Sequence, residues 1–218
     1  MKKIFRATLP VMAGYIVLGI GFGMLFESKG YGLLWSFLMS FFVYAGSMQY
    51  LAVDLLTGGA SLISIALATL AVNARHLFYG ITMIERYRGA GAKKPYMIFA
   101  LTDETYSLVC EGKRDHKFFF GVSVINHLYW VTGCCLGSVI GGFINVKGID
   151  FALTALFVTV FTEQWLSNRD HTAAICGVVS SVFCLLIFGA DRFLIPTMLV
   201  ISISLTIIKK IRGGAVLE

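Results

Sequence analysis

FFFGVSVINHLYWVTGCCLGSVIGGFINV, residues 118–146, contains no Asp, Glu, Lys or Arg. A helix needs about 20 apolar residues to cross the roughly 30 Å hydrocarbon core of a bilayer, and this run exceeds that. In lipid every backbone N–H and C=O must be bonded within the protein, so only helices and closed barrels span. The stretch therefore reads as a transmembrane helix and fixes the class of the chain. Three more charge-free runs, Ala7 to Phe26, Gly30 to Val53 and Thr172 to Ala190, have the length to do the same. Leu55 to Ala74, Phe151 to Thr162 and Phe193 to Ile208 are shorter apolar segments that fill most of the remainder. The expected fold is all-α and polytopic, with about seven transmembrane helices at the usual span length.

Composition agrees. Charged residues make up 14% of the 218 positions and hydrophobic ones 57%, whereas about 25% of a soluble domain is charged. The net charge of +6 does not point to nucleic acid, because the basic residues cluster at the edges of apolar runs. Lys2, Lys3 and Arg6; Arg86, Arg88, Lys93 and Lys94; Lys113, Arg114 and Lys117; and Lys209, Lys210 and Arg212 all prefer the cytoplasmic side of an inner membrane. Three apolar segments lie between the first cluster and the second, so the preference cannot hold everywhere if each one crosses. Either the N-terminus is outside, or an early segment is re-entrant, or the segment within 85–117 also crosses. Met1-Lys2-Lys3 before an apolar run resembles a signal peptide, but no small-residue cleavage site closes it, so a retained first span is expected. Cys110, Cys134, Cys135, Cys176 and Cys184 form no Cys-x-x-Cys pair, which implies neither a disulfide framework nor a metal site.

The least apolar stretch, residues 85–117, divides one membrane domain, 1–218, into halves 9–84 and 118–190. Val17-Leu18-Gly19 with Gly23 matches Val131-Thr132-Gly133 with Gly137. At an offset one residue larger, Phe42-Val43 matches Phe157-Val158, and Gln49-Tyr50-Leu51 matches Gln164-Trp165-Leu166. Three spans per half would place the halves in opposite orientations, a 3+3 inverted repeat with one extra C-terminal helix, as in many transporters. That reading expects 44–49 and 161–165 to approach each other near mid-membrane.

Polar residues inside the apolar runs mark the candidate site. Tyr44, Gly46, Ser47 and Gln49 interrupt the second run, where a broken helix would expose unpaired backbone groups able to hold a carboxylate or ammonium. Close packing of small residues is the competing reading. Gln164 is the counterpart of Gln49, and beside it Glu163 is a carboxylate that either faces a cavity or sits at the interface. Asn73 and Arg75 interrupt residues 61–84; the planar guanidinium suits a carboxylate, although a snorkelling arginine would look the same. Thr102 is placed to cap a helix carrying Asp103 and Glu104, which would point about 100° apart, so one of them is a candidate partner for Arg75. With Glu163 they are the candidate proton-coupling groups. His127 is a weaker relay candidate.

These residues resemble the large subunit of the AzlC-type branched-chain amino acid exporters. The likeness runs through Pro10, Gly14-Tyr15, Gly19 to Gly23, Ser40, Tyr44-Ala45-Gly46, Gln49, Asn73-Ala74-Arg75-His76, Thr102-Asp103-Glu104, Trp130 and Gly137. The resemblance implies efflux of leucine, isoleucine, valine and methionine, with a small, separately encoded AzlD-like membrane subunit as partner. An uptake permease or channel-like facilitator of the same fold is the alternative. No Gly-x-x-x-x-Gly-Lys loop supports ATP-driven transport by this chain alone, and no His-Glu-x-x-His or Gly-x-Ser-x-Gly string supports an intramembrane enzyme. No cofactor is expected.

Overall fold

In the computed structural model the described residues are 2–110, 115–144, 148, 151–167, 170–189 and 193–214, and every regular element among them is helical. The charge-free run at 7–26 and residues 118–143 of the run at 118–146 fold as uninterrupted helices, α1 (Lys2–Ser28) and α8 (His116–Phe143). At 1.5 Å per residue each is roughly 40 Å long, enough to cross a bilayer. The two pack closely through glycines. A Cβ at Gly23 would lie 2.0 Å from the Cys134 carbonyl oxygen, and one at Gly137 would lie 2.2 Å from that of Ile20. Lipid supplies no hydrophobic force between helices, so association relies on small residues that let backbones approach.

The contacts run in the same order along both helices: Ile4 lies against Gly121, Gly19 against Gly133, and Glu27 against Gly141. α1 and α8 are therefore parallel. This corrects the inverted-repeat expectation, because a two-fold axis in the membrane plane would make the matched first spans antiparallel. Gly19 and Gly23 match Gly133 and Gly137 because both helices need a small-residue stripe where they touch.

Residues of the first two basic clusters meet at the N-terminal end of α8. Lys3, Arg86 and Lys93 lie over the rings of Phe118, Phe119 and Phe120, with each cation 5.2–5.3 Å from its ring centroid. Met83, Tyr87, Met97, Val109, Phe119 and Val122 form a buried cluster beneath them.

Two helical hairpins enter from opposite ends. α2 (Gly32–Phe42) runs antiparallel to α8: the Ser36 hydroxyl donates to the Cys134 carbonyl at 3.2 Å, and the Phe41 ring lies 5.2 Å from that of His127. The chain breaks at Tyr44, whose φ of 42° falls in the left-handed region that bulky residues rarely enter. α3 (Gly46–Thr57) turns back toward the end from which α2 came. The Tyr50 hydroxyl donates to the Leu18 carbonyl at 2.7 Å, and its ring packs 5.6 Å from that of Phe22. The run from Gly30 to Val53, expected as a single span, is thus folded into two antiparallel helices broken at Tyr44.

α4 (Leu62–Val72) breaks at Asn73-Ala74 and continues as α5 (Arg75–Met83), which leads to the basic end. From there a 3-10 turn, Gly91–Lys93, feeds α6 (Lys94–Phe99), whose Tyr96 hydroxyl reaches His127 Nδ1 at 2.8 Å. α7 (Asp103–Val109) returns, and the Val109 carbonyl accepts from Arg86 Nε at 2.9 Å. Within the segment expected as a linker, residues 91–109 therefore form a second helical hairpin.

By compactness the chain divides into two units, 1–61 with 72–156, and 62–71 with 157–218. The second contains most of α9 (Phe151–Ser167), and in it α10 (Thr172–Phe188) packs on α11 (Leu194–Gly214). Its buried side chains include Cys184 and Thr197, whereas Leu62 and Leu186 are more than four-fifths exposed, as suits surfaces facing lipid. Among the described residues, α1 and α8 are long and apolar enough to cross singly. α4 with α5 qualifies as a broken pair, while α2, α10 and Leu199–Ile208 are shorter apolar helices.

Candidate functional site

The site lies within the first unit, where the two hairpin tips meet near the midpoints of α1 and α8. Thr102 caps α7: its hydroxyl oxygen accepts from the Thr105 N–H at 3.3 Å. The helix dipole favours acidic residues in the turn that follows, where Asp103 and Glu104 sit. Pointing about 100° apart, they take different partners. Asp103 forms an ion pair with Arg75. Glu104 Oε2 accepts from the Tyr15 hydroxyl at 2.6 Å, and that hydroxyl lies 2.6 Å from Thr102 Oγ1. Arg75 Nη2 also donates to the Ser47 hydroxyl at 3.4 Å, so one guanidinium joins α5, α3 and α7.

Deeper in, the Trp130 indole donates to Gln49 Oε1 at 2.8 Å, and both residues are buried. Gly46 leaves room for that indole; a Cβ there would meet it at 3.0 Å. The Tyr44 ring packs 4.3 Å from that of His127 and 6.5 Å from that of Tyr15. Asn126 Nδ2 donates to Thr105 Oγ1 at 3.1 Å.

Of the residues singled out in the sequence, Tyr44, Gly46, Ser47, Gln49, Arg75, Asp103 and Glu104 gather at these tips. Asn73 stands at the α4–α5 break, where its carbonyl accepts from the His76 N–H at 2.9 Å. Glu163 and Gln164 fall in α9, and their side chains lie outside the described residues. Tyr15, Asn126 and Trp130 join the site without having been assigned to it from sequence, since uncharged polar groups in an apolar run resemble packing or interfacial residues. Among the described residues, no group of three or more His, Cys, Asp or Glu side chains is placed to hold a metal ion.

Such a chain, all helix with an arginine and two carboxylates set between apolar spans, is an integral membrane protein. A family model described as AzlC protein matches residues 10–144. The chain is 41% identical over 216 residues to the branched-chain amino acid transport protein AzlC of Bacillus subtilis, covering 96% of this chain and 85% of that one. It is 35% identical over 216 residues to an uncharacterized membrane protein of Helicobacter pylori, covering 96% and 95%. It is 28% identical over 193 residues to the inner membrane protein YgaZ of Escherichia coli, covering 81% and 79%. The chain belongs to the AzlC family. No solved structure matches it.

Proposed function

We propose that this chain, acting as one transport domain, exports branched-chain amino acids across the cytoplasmic membrane, with leucine, isoleucine and valine as substrates and methionine as a further candidate. It would be the large subunit of a two-component, proton-coupled exporter whose small membrane partner is AzlD-like. The observation that carries this reading is Arg75, held near mid-span between two hairpin tips and bonded to both Ser47 and Asp103. A charge at that depth is costly unless it serves a partner or a path. A substrate carboxylate would compete with Asp103 for the guanidinium, and that exchange would link binding to the α7 hairpin. The name of the Bacillus relative supports the substrate class, and that of the Escherichia relative supports the inner membrane.

In this reading the α2–α3 segment does not cross. The crossings are then α1, the α4–α5 pair, α8, α9, α10 and α11, with every basic cluster cytoplasmic. Reconstitution with labelled leucine, with and without the small subunit and under an imposed proton gradient, tests the function. Gradient-dependent leucine flux is expected, and absence of any leucine flux with both subunits present overturns the proposal.

A further inference from the structure

We propose that Trp130 is a positioning residue whose indole N–H orients the Gln49 amide so that Nε2 donates to a carboxylate at the start of α3. The inference rests on the transport reading above. An indole nitrogen only donates, so the Gln49 atom 2.8 Å from it is the amide oxygen, and Nε2 is turned the other way. Gln49 is wholly buried, and Nε2 has no hydrogen-bond partner among the described residues. Leaving a buried donor unmatched is costly, and native proteins keep few such groups.

Gln49 stands in the opening turn of α3, whose backbone supplies a second set of donors. α3 is 12 residues long and begins at Gly46, and Ala45 before it supplies no side-chain cap. The first-turn N–H groups and the positive end of the helix dipole therefore face the hairpin tip. Gly46 and Gln49 are three residues apart and share a face, and the indole that bonds the amide also packs on Gly46. Arg75 approaches the neighbouring Ser47. Nε2, the backbone N–H groups and the guanidinium all donate. Together they fit a carboxylate and disfavour an ammonium.

The test is leucine transport by the chain reconstituted with its small subunit and carrying Trp130→Phe, Gln49→Ala or both. Phenylalanine keeps a ring against Gly46 and removes only the N–H. Losing one hydrogen bond to a charged group should raise the leucine KM roughly tenfold or more in each single variant, with little change in maximal rate. The double variant should be no worse than Gln49→Ala. A KM for Trp130→Phe within twofold of the unmodified chain, or a further loss in the double variant, overturns the proposal and leaves Trp130 a packing residue.

A second measurement uses the chain with Trp35→Phe and Trp165→Phe, so that emission reports Trp130 alone, titrated with isovalerate, a carboxylate without an amine. A saturable emission change that Gln49→Ala abolishes supports the orientation, and no change overturns it. If the unmodified chain reconstituted with its small subunit moves no leucine, the transport reading fails, and the isovalerate titration still decides the role of Trp130.

Discussion

Arg75 and Asp103 pair across the α5–α7 gap, and the same guanidinium reaches Ser47 on α3. Both side chains are 34% exposed, so the pair is screened and contributes no more than about 1 kcal/mol to folding. Its removal should therefore be read in transport rather than in stability. Arg75→Lys loses the planar fork and should raise the leucine KM roughly tenfold. Asp103→Asn removes the competing carboxylate and should lower KM several-fold while slowing turnover. Both variants should melt within a few degrees of the unmodified protein. Unchanged KM in both would remove Arg75 from the binding site.

Parallel packing of α1 on α8 depends on Gly23, where a Cβ would meet the backbone of Cys134 and Ser138 at 2.0 and 2.5 Å. Neither backbone can yield without moving a whole helix. Gly23→Ala should therefore destabilise the protein by about 3 kcal/mol or more, at or above the upper end of ordinary overpacking. At Gly177 in α10 a Cβ would have no neighbour within 4 Å, so Gly177→Ala should be neutral or stabilise by up to about 1 kcal/mol. Thermal unfolding in detergent with a conformation-sensitive dye compares the two. Equal effects would contradict the close α1–α8 contact.

Much of this was legible in the sequence, and what failed did so for identifiable reasons. A glycine and polar groups at 44–49 announced the helix break, and Arg75 with Asp103 and Glu104 announced themselves as charges among apolar residues. Hydropathy carries no direction, however. It could not show that α3 turns back beside Leu18 and Phe22 instead of continuing across. The glycine stripes on α1 and α8 looked like duplication because identical packing demands select identical residues. Tyr15 and Trp130 carry no charge, so the charge pattern left them looking like interfacial aromatics, while the family resemblance singled them out.

The re-entrant reading of α2–α3 predicts that both ends of the hairpin open on the same side of the membrane. In a chain with the native cysteines replaced, Lys29→Cys and Thr57→Cys should both react with an impermeant thiol reagent added from outside cells. Lys3→Cys and Arg88→Cys should react only after the cytoplasmic face is exposed, because their segments meet on α8. Labelling of Thr57→Cys from the cytoplasmic side alone would mean that the segment crosses.

Asp103, Glu104 and Glu163 are the candidates for the coupled proton, and the first two have partners at the hairpin tips. Asp103 is engaged by Arg75, and Glu104 takes the Tyr15 hydroxyl at 2.6 Å. In Glu104→Gln the amide oxygen can still accept that hydroxyl, so the contact and the gradient response should survive with flux reduced only a few-fold. Glu163 stands in the otherwise uncharged segment 151–167 of α9. A carboxylate there can take up a proton and release it as its surroundings change between wet and dry, whereas an amide cannot. Glu163→Gln should therefore still exchange labelled leucine at equilibrium but lose the acceleration that an imposed proton gradient gives. Insertion must first be shown to match the unmodified chain. If Glu163→Gln keeps its full gradient response while Glu104→Gln loses it, the coupled proton belongs to the Tyr15–Glu104 pair at the hairpin tips, and Glu163 is an interfacial residue.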